Sequence, residues 1–352
     1  MINKQSIYYW FFFPLLALLS AGSLTSCIYD SVLEEEDTSG KSTLSITMRG
    51  ITTTDPGSSG SYDDYVETLR IIGFDANGSV VCNELHEGTD FAIINDALNI
   101  TQTMIEAFQG GVCDFYFIAN EEGYSVYDAQ TTSQSLSDFF DKSLLSEDDL
   151  KSCIIVYDGK EPGATNALPI LMTTSVTSAL KPGDNTINNI ELVRCFAKVQ
   201  LKIIDKTGSA IVGEKPVLMG ACPEYYSLWD GSTTENLTLS DDKVDIQLEL
   251  VKGTIVVDGQ NYPLYTSQEI YFPERLLGEG NNEKVNAMKF SFRLNNTPYK
   301  VEIADATGND FNIRRNTHYT VTATLNSTPV VVTFNIEVIP WTEVEVDVPP
   351  FE

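Results

Sequence analysis

Few residues in this chain are spaced for chemistry. His86 and His318 are the only imidazoles available as general bases. No Gly-rich phosphate loop, nucleophile elbow, HExxH helix or Ser/His/Asp constellation accompanies them. Asp75-Ala76-Asn77-Gly78 has the opening letters of a calcium loop, but the rest of the ligand series does not follow. Asn-Gly is the favoured centre of a two-residue hairpin, so this stretch reads as a turn; Asp305-Ala306-Thr307-Gly308 and Asp230-Gly231 read the same way. Cys82, Cys113, Cys153, Cys195 and Cys222 show neither CxxC spacing nor a Cys/His pair at zinc-ligand spacing, and most lie in apolar runs, as small core hydrophobes do. Tyr225, Tyr226 and Trp229 could stack on a sugar, yet a packed loop accounts for the same residues. The side chains therefore point away from catalysis, and no metal or cofactor is expected.

Cys27 is a different case. It closes Leu24-Thr25-Ser26-Cys27, behind Lys4 and an apolar run from Ile7 to Leu19 that is too short to span a bilayer comfortably. That order resembles the bacterial lipobox, in which signal peptidase cuts before a diacylated cysteine. Residues 1–26 then form a lipoprotein signal peptide, and acyl chains on Cys27 (palmitate) tether the chain to a membrane leaflet without spanning it. Residues 27–42 are an acidic linker with Glu34, Glu35, Glu36 and Asp37. Such a cluster is either a solvated charge run or, as in Bacteroidia lipoproteins, similar to a surface-export signal.

Composition narrows the class further. The chain has 352 residues, 42% of them hydrophobic, enough for a sizeable core and about two domains. Lys plus Arg number 22 against 50 acidic residues, a net charge of -28, which repels phosphate backbones and excludes nucleic acid as a partner.

The elements that must position any site are short strands. Thr43 to Gly50 alternates, with Leu44, Ile46 and Met48 on one face. A Gly/Ser/Asp-rich loop, Ile51 to Tyr65, precedes strands Val66 to Phe74 and Ser79 to Leu85. Asn99 to Gln109 is predicted as a short helix with Ile100, Met104, Ile105 and Phe108 on one side. A second helical insertion spans Ser135 to Lys151, with Ser146 as a cap ahead of Glu147, Asp148 and Asp149. Core strands are read at Val112 to Asn120, Cys153 to Tyr157 and Leu168 to Thr173. The long run Asn185 to Ile204 passes from one sandwich to the next near Val193, and further short strands follow. The fold class is all-β: two tandem antiparallel β-sandwiches, residues 43–192 and 193–352, with short helical insertions.

The last stretch, Pro329 to Phe351, sets the functional question. Val330, Val332, Phe334, Ile336 and Val338 occupy alternate positions; after Pro340-Trp341 the phase resumes with Val344, Val346 and Val348, whose intervening residues are Glu343, Glu345 and Asp347. Fully burying five such side chains is worth roughly 8 to 15 kcal/mol. Backbone ordering costs about 1 to 2 kcal/mol per residue, so the strand needs a groove already formed by its own molecule or the next.

In order along the chain, the lipobox, TLSITMRG, ETLRIIGFDANG, FYFIANE, LPILMTTS, LVRCFAKVQLKI, FPERL, IRRNTHYTVTATL and a terminal strand with Pro-Trp resemble the fimbrillin family, the FimA-like subunits of type V fimbriae. The resemblance implies transthyretin-like sandwiches, export as an outer-membrane lipoprotein, and proteolytic removal of the first strand at the cell surface. A neighbour's carboxy-terminal strand then fills the opened groove. Mapped here, the displaced strand is Leu44, Ile46 and Met48 with its neighbours, the cut falls at Arg49-Gly50, and the donor is residues 329–352 with Trp341 at its hinge. The expected function is a structural fimbrial subunit in cell adhesion, polymerised by donor-strand exchange with other fimbrial subunits. The alternatives are an anchor, tip or accessory lipoprotein that stays acylated or caps the filament and binds a host or bacterial surface ligand, and a surface glycan-binding or hydrolytic lipoprotein.

Overall fold

The computed structural model describes residues 42–49, 64–94, 97–103, 108–127, 134–144, 146–156, 169–208, 215–223, 225–229, 239–277, 282–305, 307–327 and 331–340. The first half contains β1 (Thr43–Arg49), β2 (Thr68–Asp75), β3 (Val80–Glu87), β4 (Ala92–Ile94), β5 (Ala97–Thr103) and β6 (Gly111–Ala119). Short strands β7 (Ser125–Val126), β8 (Gln134–Ser135) and β9 (Ile154–Val156) flank helices α1 (Leu136–Lys142) and α2 (Glu147–Lys151). Then come β10 (Met172–Leu180), β11 (Asp184–Ile190) and β12 (Val193–Arg194). The second half opens with β13 (Phe196–Asp205), β14 (Val217–Pro223), β15 (Tyr225–Ser227) and β16 (Leu239–Gln247). It continues through β17 (Leu250–Val257), β18 (Gln260–Ser267), β19 (Ile270–Pro273), β20 (Lys289–Leu294) and β21 (Thr297–Glu302), and closes with β22 (Thr317–Leu325) and β23 (Val332–Pro340).

Two cores result. In the first, the sheet β11-β1-β5-β4 packs on β12-β10-β6-β2-β3, joining Leu44, Ile46, Leu98 and Ile100 to Ile71, Phe115 and Phe117. In the second, β17-β18-β13-β22-β23 faces β16-β14-β20-β21 around Leu201, Ile203, Phe290 and Val321. Most ladders are antiparallel, but β1 runs parallel to β11 and β13 parallel to β22. The run between the sandwiches is not one strand: β11 ends at Ile190, the two-residue β12 pairs with β10, and β13 starts at Phe196. The two bodies are laced together beyond that linker. Tyr226, Leu228 and Trp229 belong to the first core, and β15 pairs with β9. Arg315 donates to the backbone oxygens of Ser227 at 2.7 Å and Leu228 at 3.0 Å while paired with Glu274 at 2.8 Å.

The helical insertion has the cap expected at Ser146 and a second one at Ser135. Ser135 Oγ accepts from the Asp138 amide at 3.1 Å and Ser146 Oγ from Asp149 at 3.2 Å, each satisfying an orphan donor of a first turn. Phe140 and Leu150 are buried. The helix predicted over Asn99 to Gln109 is not there: Ala97–Thr103 is strand β5, paired residue by residue with β1 from Ala97 opposite Arg49 to Thr103 opposite Thr43. Ile100, Thr101 and Thr103 are β-branched, and the long-range ladder overrides a local 3.6-residue pattern whose Met104 and Ile105 lie outside the described residues. The strand read over Leu168 to Thr173 starts at Met172 and runs on to Leu180, because β6 offers partners from Ala119 back to Gly111.

Candidate functional site

The feature that could do work is a strand in a slot. β1 lies in the middle of its sheet, with β11 on one side and β5 on the other. Leu44, Ile46 and Met48 point into the first core and are fully buried, worth roughly 5 to 9 kcal/mol together by area. Polar contacts fix the strand's register on its other face and at its start. Thr43 Oγ1 donates to Asp184 Oδ1 at 2.5 Å, Thr47 Oγ1 to Asn99 Oδ1 at 3.1 Å, and the Thr43 amide to the Gly183 oxygen at 3.2 Å. Taking β1 away would leave a trench with hydrogen-bonding edges on both walls, three apolar sockets deep.

From Asp64 onward the chain is pinned. Asn120, at φ 63°, accepts from the amide of Glu67 at 2.8 Å and donates to the oxygens of Tyr65 and Ile170, both at 2.8 Å. Asp64 pairs with Arg194, which also donates to Asn316 Oδ1 at 3.0 Å. A break between β1 and Asp64 would therefore free β1 and leave β2 seated.

The terminal strand has a home partner. All nine residues of β23 pair with β22, from Val332 opposite Leu325 to Pro340 opposite Thr317. The expected phase is present: Val332, Ile336 and Val338 pack on the second core, and Phe334 meets Phe292 and Tyr299 with ring centroids at 6.3 Å. The burial is incomplete, since Val332, Ile336 and Val338 are only half-buried and Phe334 stays 40% exposed at the sheet's edge. Val330, Trp341, Val344, Val346, Val348, Cys27 and Gly50 lie outside the described residues, as does the side chain of Arg49.

The sequence profile of the fimbrillin-A associated anchor proteins Mfa1 and Mfa2 matches residues 34–347. The chain belongs to that family. Among solved structures it is similar to the tip fimbrial protein Mfa3 of Porphyromonas gingivalis, solved with a C-terminal truncation, at 17% identity and a TM-score of 0.56, covering 86% of this chain and 100% of that one. It is also similar to a fimbrial assembly protein of Parabacteroides distasonis, at 11% identity and a TM-score of 0.52, covering 85% and 98%. No curated protein matches the chain. The fimbrial and cell-adhesion class and the β-sandwich architecture are thereby shared with the fimbrillin-A associated proteins.

Other groups singled out in the sequence take structural places in this fimbrial protein. Tyr226 and Trp229 are buried, and the Trp229 indole donates to the Leu150 oxygen at 2.6 Å; the Tyr225 ring lies 4.2 Å from that of the exposed Tyr127, tilted by 49°. Cys82, Cys113, Cys153 and Cys195 are buried, and burial pushes the Cys82 and Cys153 thiols up to about 12. The Cys222 side chain and Asp230-Gly231 lie outside the described residues. Asp75 caps its own turn, with Oδ1 accepting from the amides of Asn77 and Ser79 at 2.9 Å, and Asp305 likewise accepts from Asn309 and Asp310 at 3.1 Å. These carboxylates are spent on backbone amides. His86 lies 3.8 Å from Asp90 and His318 3.9 Å from Glu269, far apart in the two sandwiches.

Arg70 was not singled out in the sequence and is the most demanding polar group in the first sandwich. It is 2% exposed, forked onto Glu121 by two bonds of 2.7 Å, and held by Asn83 at 2.9 Å and Asp141 at 2.8 Å above the Phe140 ring. Burial pulls its pKa down, and the hydrogen bonds and charge of Glu121, with Asp141 behind, outweigh that and leave it raised. A polar cleft of about 760 Å³ opens beside it, lined by Asn83, Glu84, His86, Asp90 and Asp141.

Proposed function

We propose that the chain is a fimbrial subunit exported as a lipoprotein through Cys27, whose β1 is a removable plug and whose terminal segment fills the equivalent trench of a neighbour at the cell surface. The observation that carries this reading is the position of β1, central in its sheet with three buried side chains at alternate positions. Because Val332–Pro340 is paired along its whole length with β22, the donor is assigned to the segment beyond Pro340. There Val344, Val346 and Val348 repeat the spacing of Leu44, Ile46 and Met48, three side chains for three sockets. The row Val330 to Val338 would join them only if β23 first left β22. No catalytic role is assigned; adhesion follows from assembly and from any ligand held by the exposed subunit.

A second reading is a terminal subunit, an anchor or tip, that donates its segment but keeps β1. It is favoured by the placement of Arg49, the last residue of β1 and opposite Ala97 in the ladder, together with the lack of Lys or Arg from Gly50 to Leu69. A protease that cuts after basic residues must then open the ladder to reach its bond. Sequencing the amino terminus of protein sheared from cells separates the two. A start at Gly50 or nearby means a stalk subunit, a lipid-modified Cys27 in the filament means a terminal one, and a free, monomeric chain starting at Cys27 contradicts both.

A further inference from the structure

The edge of the second sandwich opposite β23 lacks the usual protection. β17 pairs on one side with β18 and is the last strand of its sheet. Other long edges are defended by charge, proline or amides: β3 has Glu84 and Glu87, β16 has Asp245, β21 has Pro298 and Lys300, β11 has Asn185 and Asn188, and β23 has Glu337 and Pro340. β17 reads Leu-Val-Lys-Gly-Thr-Ile-Val-Val, with Lys252 as its single charge and no carboxylate. Val251 is 72% and Val256 65% exposed.

The hairpin is also built to stand clear of the body. Its ladder runs from Leu250 opposite Ser267 to Val257 opposite Gln260, closed at Asp258-Gly259 with φ of 53° and 76°, whereas β18 joins β13 only through Leu264, Tyr265 and Thr266. The outer half therefore overhangs the sandwich, and Lys252 and Lys206 lie over Tyr265 and Tyr262 at 5.7 and 5.8 Å.

We infer that this edge pairs with the same edge of a second copy, joining two sheets laterally, independently of strand exchange through β1. An antiparallel pair related by a twofold axis normal to the sheet must place residues of like face opposite each other, so one residue faces its own copy across the axis. Centring on Gly253 sets Val251 opposite Ile255, Leu250 opposite Val256 and Lys252 opposite Thr254, so both exposed valines gain apolar partners and no like charges meet. Centring on Lys252 would set lysine against lysine. Centring on Thr254 would set Val256 against Lys252. For a chain of net charge -28, an edge free of carboxylates is where two copies can approach.

The test uses residues 28–352, without the signal peptide and the lipid cysteine and with β1 in place, so that the chain cannot accept a donor strand and any association reports on the edge alone. Sedimentation across the micromolar range should show mass rising towards a dimer. V251K/V256K should stay monomeric with an unchanged melting temperature, whereas V285K, at a valine 73% exposed but off the edge, should still dimerise. Gly253→Cys should form an intermolecular disulfide, since directly opposed Cα atoms lie about 4.5 to 5.5 Å apart, and Val256→Cys should not. Should the lysine pair fail to fold, the two cysteine variants carry the test. A monomer at every concentration, a dimer indifferent to V251K/V256K, or cross-linking at 256 instead of 253 overturns the inference. A chain that stays monomeric here yet polymerises once β1 is cut overturns the edge and leaves strand exchange standing.

Discussion

β1 and β23 carry nearly the same pattern, alternate apolar residues in an extended chain near one end of the described residues, and they meet opposite fates. β1 has a ladder on each side and its three inward residues are shut from water. β23 has a ladder on one side, and its inward row is only half-covered. The difference lies in what surrounds the strand, not in its own letters. A strand between two others shares its burial with both neighbours and cannot leave without opening a trench; one at the edge can leave with less loss. In the proposed strand exchange the first kind suits a plug that needs a protease to release it, and the second a support from which a tail sets out.

Stability measurements can break that contrast. Ile46→Ala should cost about 2 to 5 kcal/mol in urea unfolding, the usual range for a fully buried Ile. Ile336→Ala on half-buried β23 should cost about 1 kcal/mol. Equal losses would mean that the two strands are held alike. Next in size is a labelling effect. With thiols pushed up to about 12 by burial, Cys82 and Cys153 should resist alkylation at neutral pH in the intact chain and after loss of residues 331–352. Cys82, on β3 of the facing sheet, should react readily once β1 is removed and its trench left empty. Labelling that follows the loss of β23 instead would reverse the contrast.

A smaller effect concerns the helical insertion that covers the first sandwich. Burial pushes the Glu147 pKa up, but hydrogen bonds from Lys151 and Tyr116 and the Lys151 charge outweigh it and leave it lowered. A lowered carboxylate stabilises the fold above its unfolded value of about 4.3 and loses that contribution as pH falls through the folded value. Trp229, bonded to the Leu150 oxygen, should report a change in fluorescence below about pH 4. Glu147→Gln should remove that acid-dependent change and leave Trp341 in the tail unaffected.

Much of this contrast is legible in the letters, because a two-residue period shows a strand's dry face wherever it lies. The inward rows of β1 and β23, the turn at Asp75-Ala76-Asn77-Gly78 and the cap at Ser146 are all local signals. What the letters lacked is the identity of the neighbour. Asn99 to Gln109 satisfied a helical period, and only the ladder to β1 decides for a strand. The segment 225–229 enters the first core from the second half of the chain, a long-range choice with no local mark. In strand β18, Pro263 argues locally against a strand, while Asp258-Gly259 ahead of it is a hairpin signal for one. That the first half of the tail takes its own β22 as partner, and not a neighbour's groove, is a choice the letters left open.

The central claim is that β1 is a plug and that the segment after Pro340 replaces it in the next molecule. Chains cut after Arg49 should be compared with and without residues 341–352, β23 being kept in both, by following polymer ladders on a semi-denaturing gel. The account predicts ladders from the longer chain and a folded monomer from the shorter one. Equal ladders from both, or ladders formed while β1 remains attached, would contradict it.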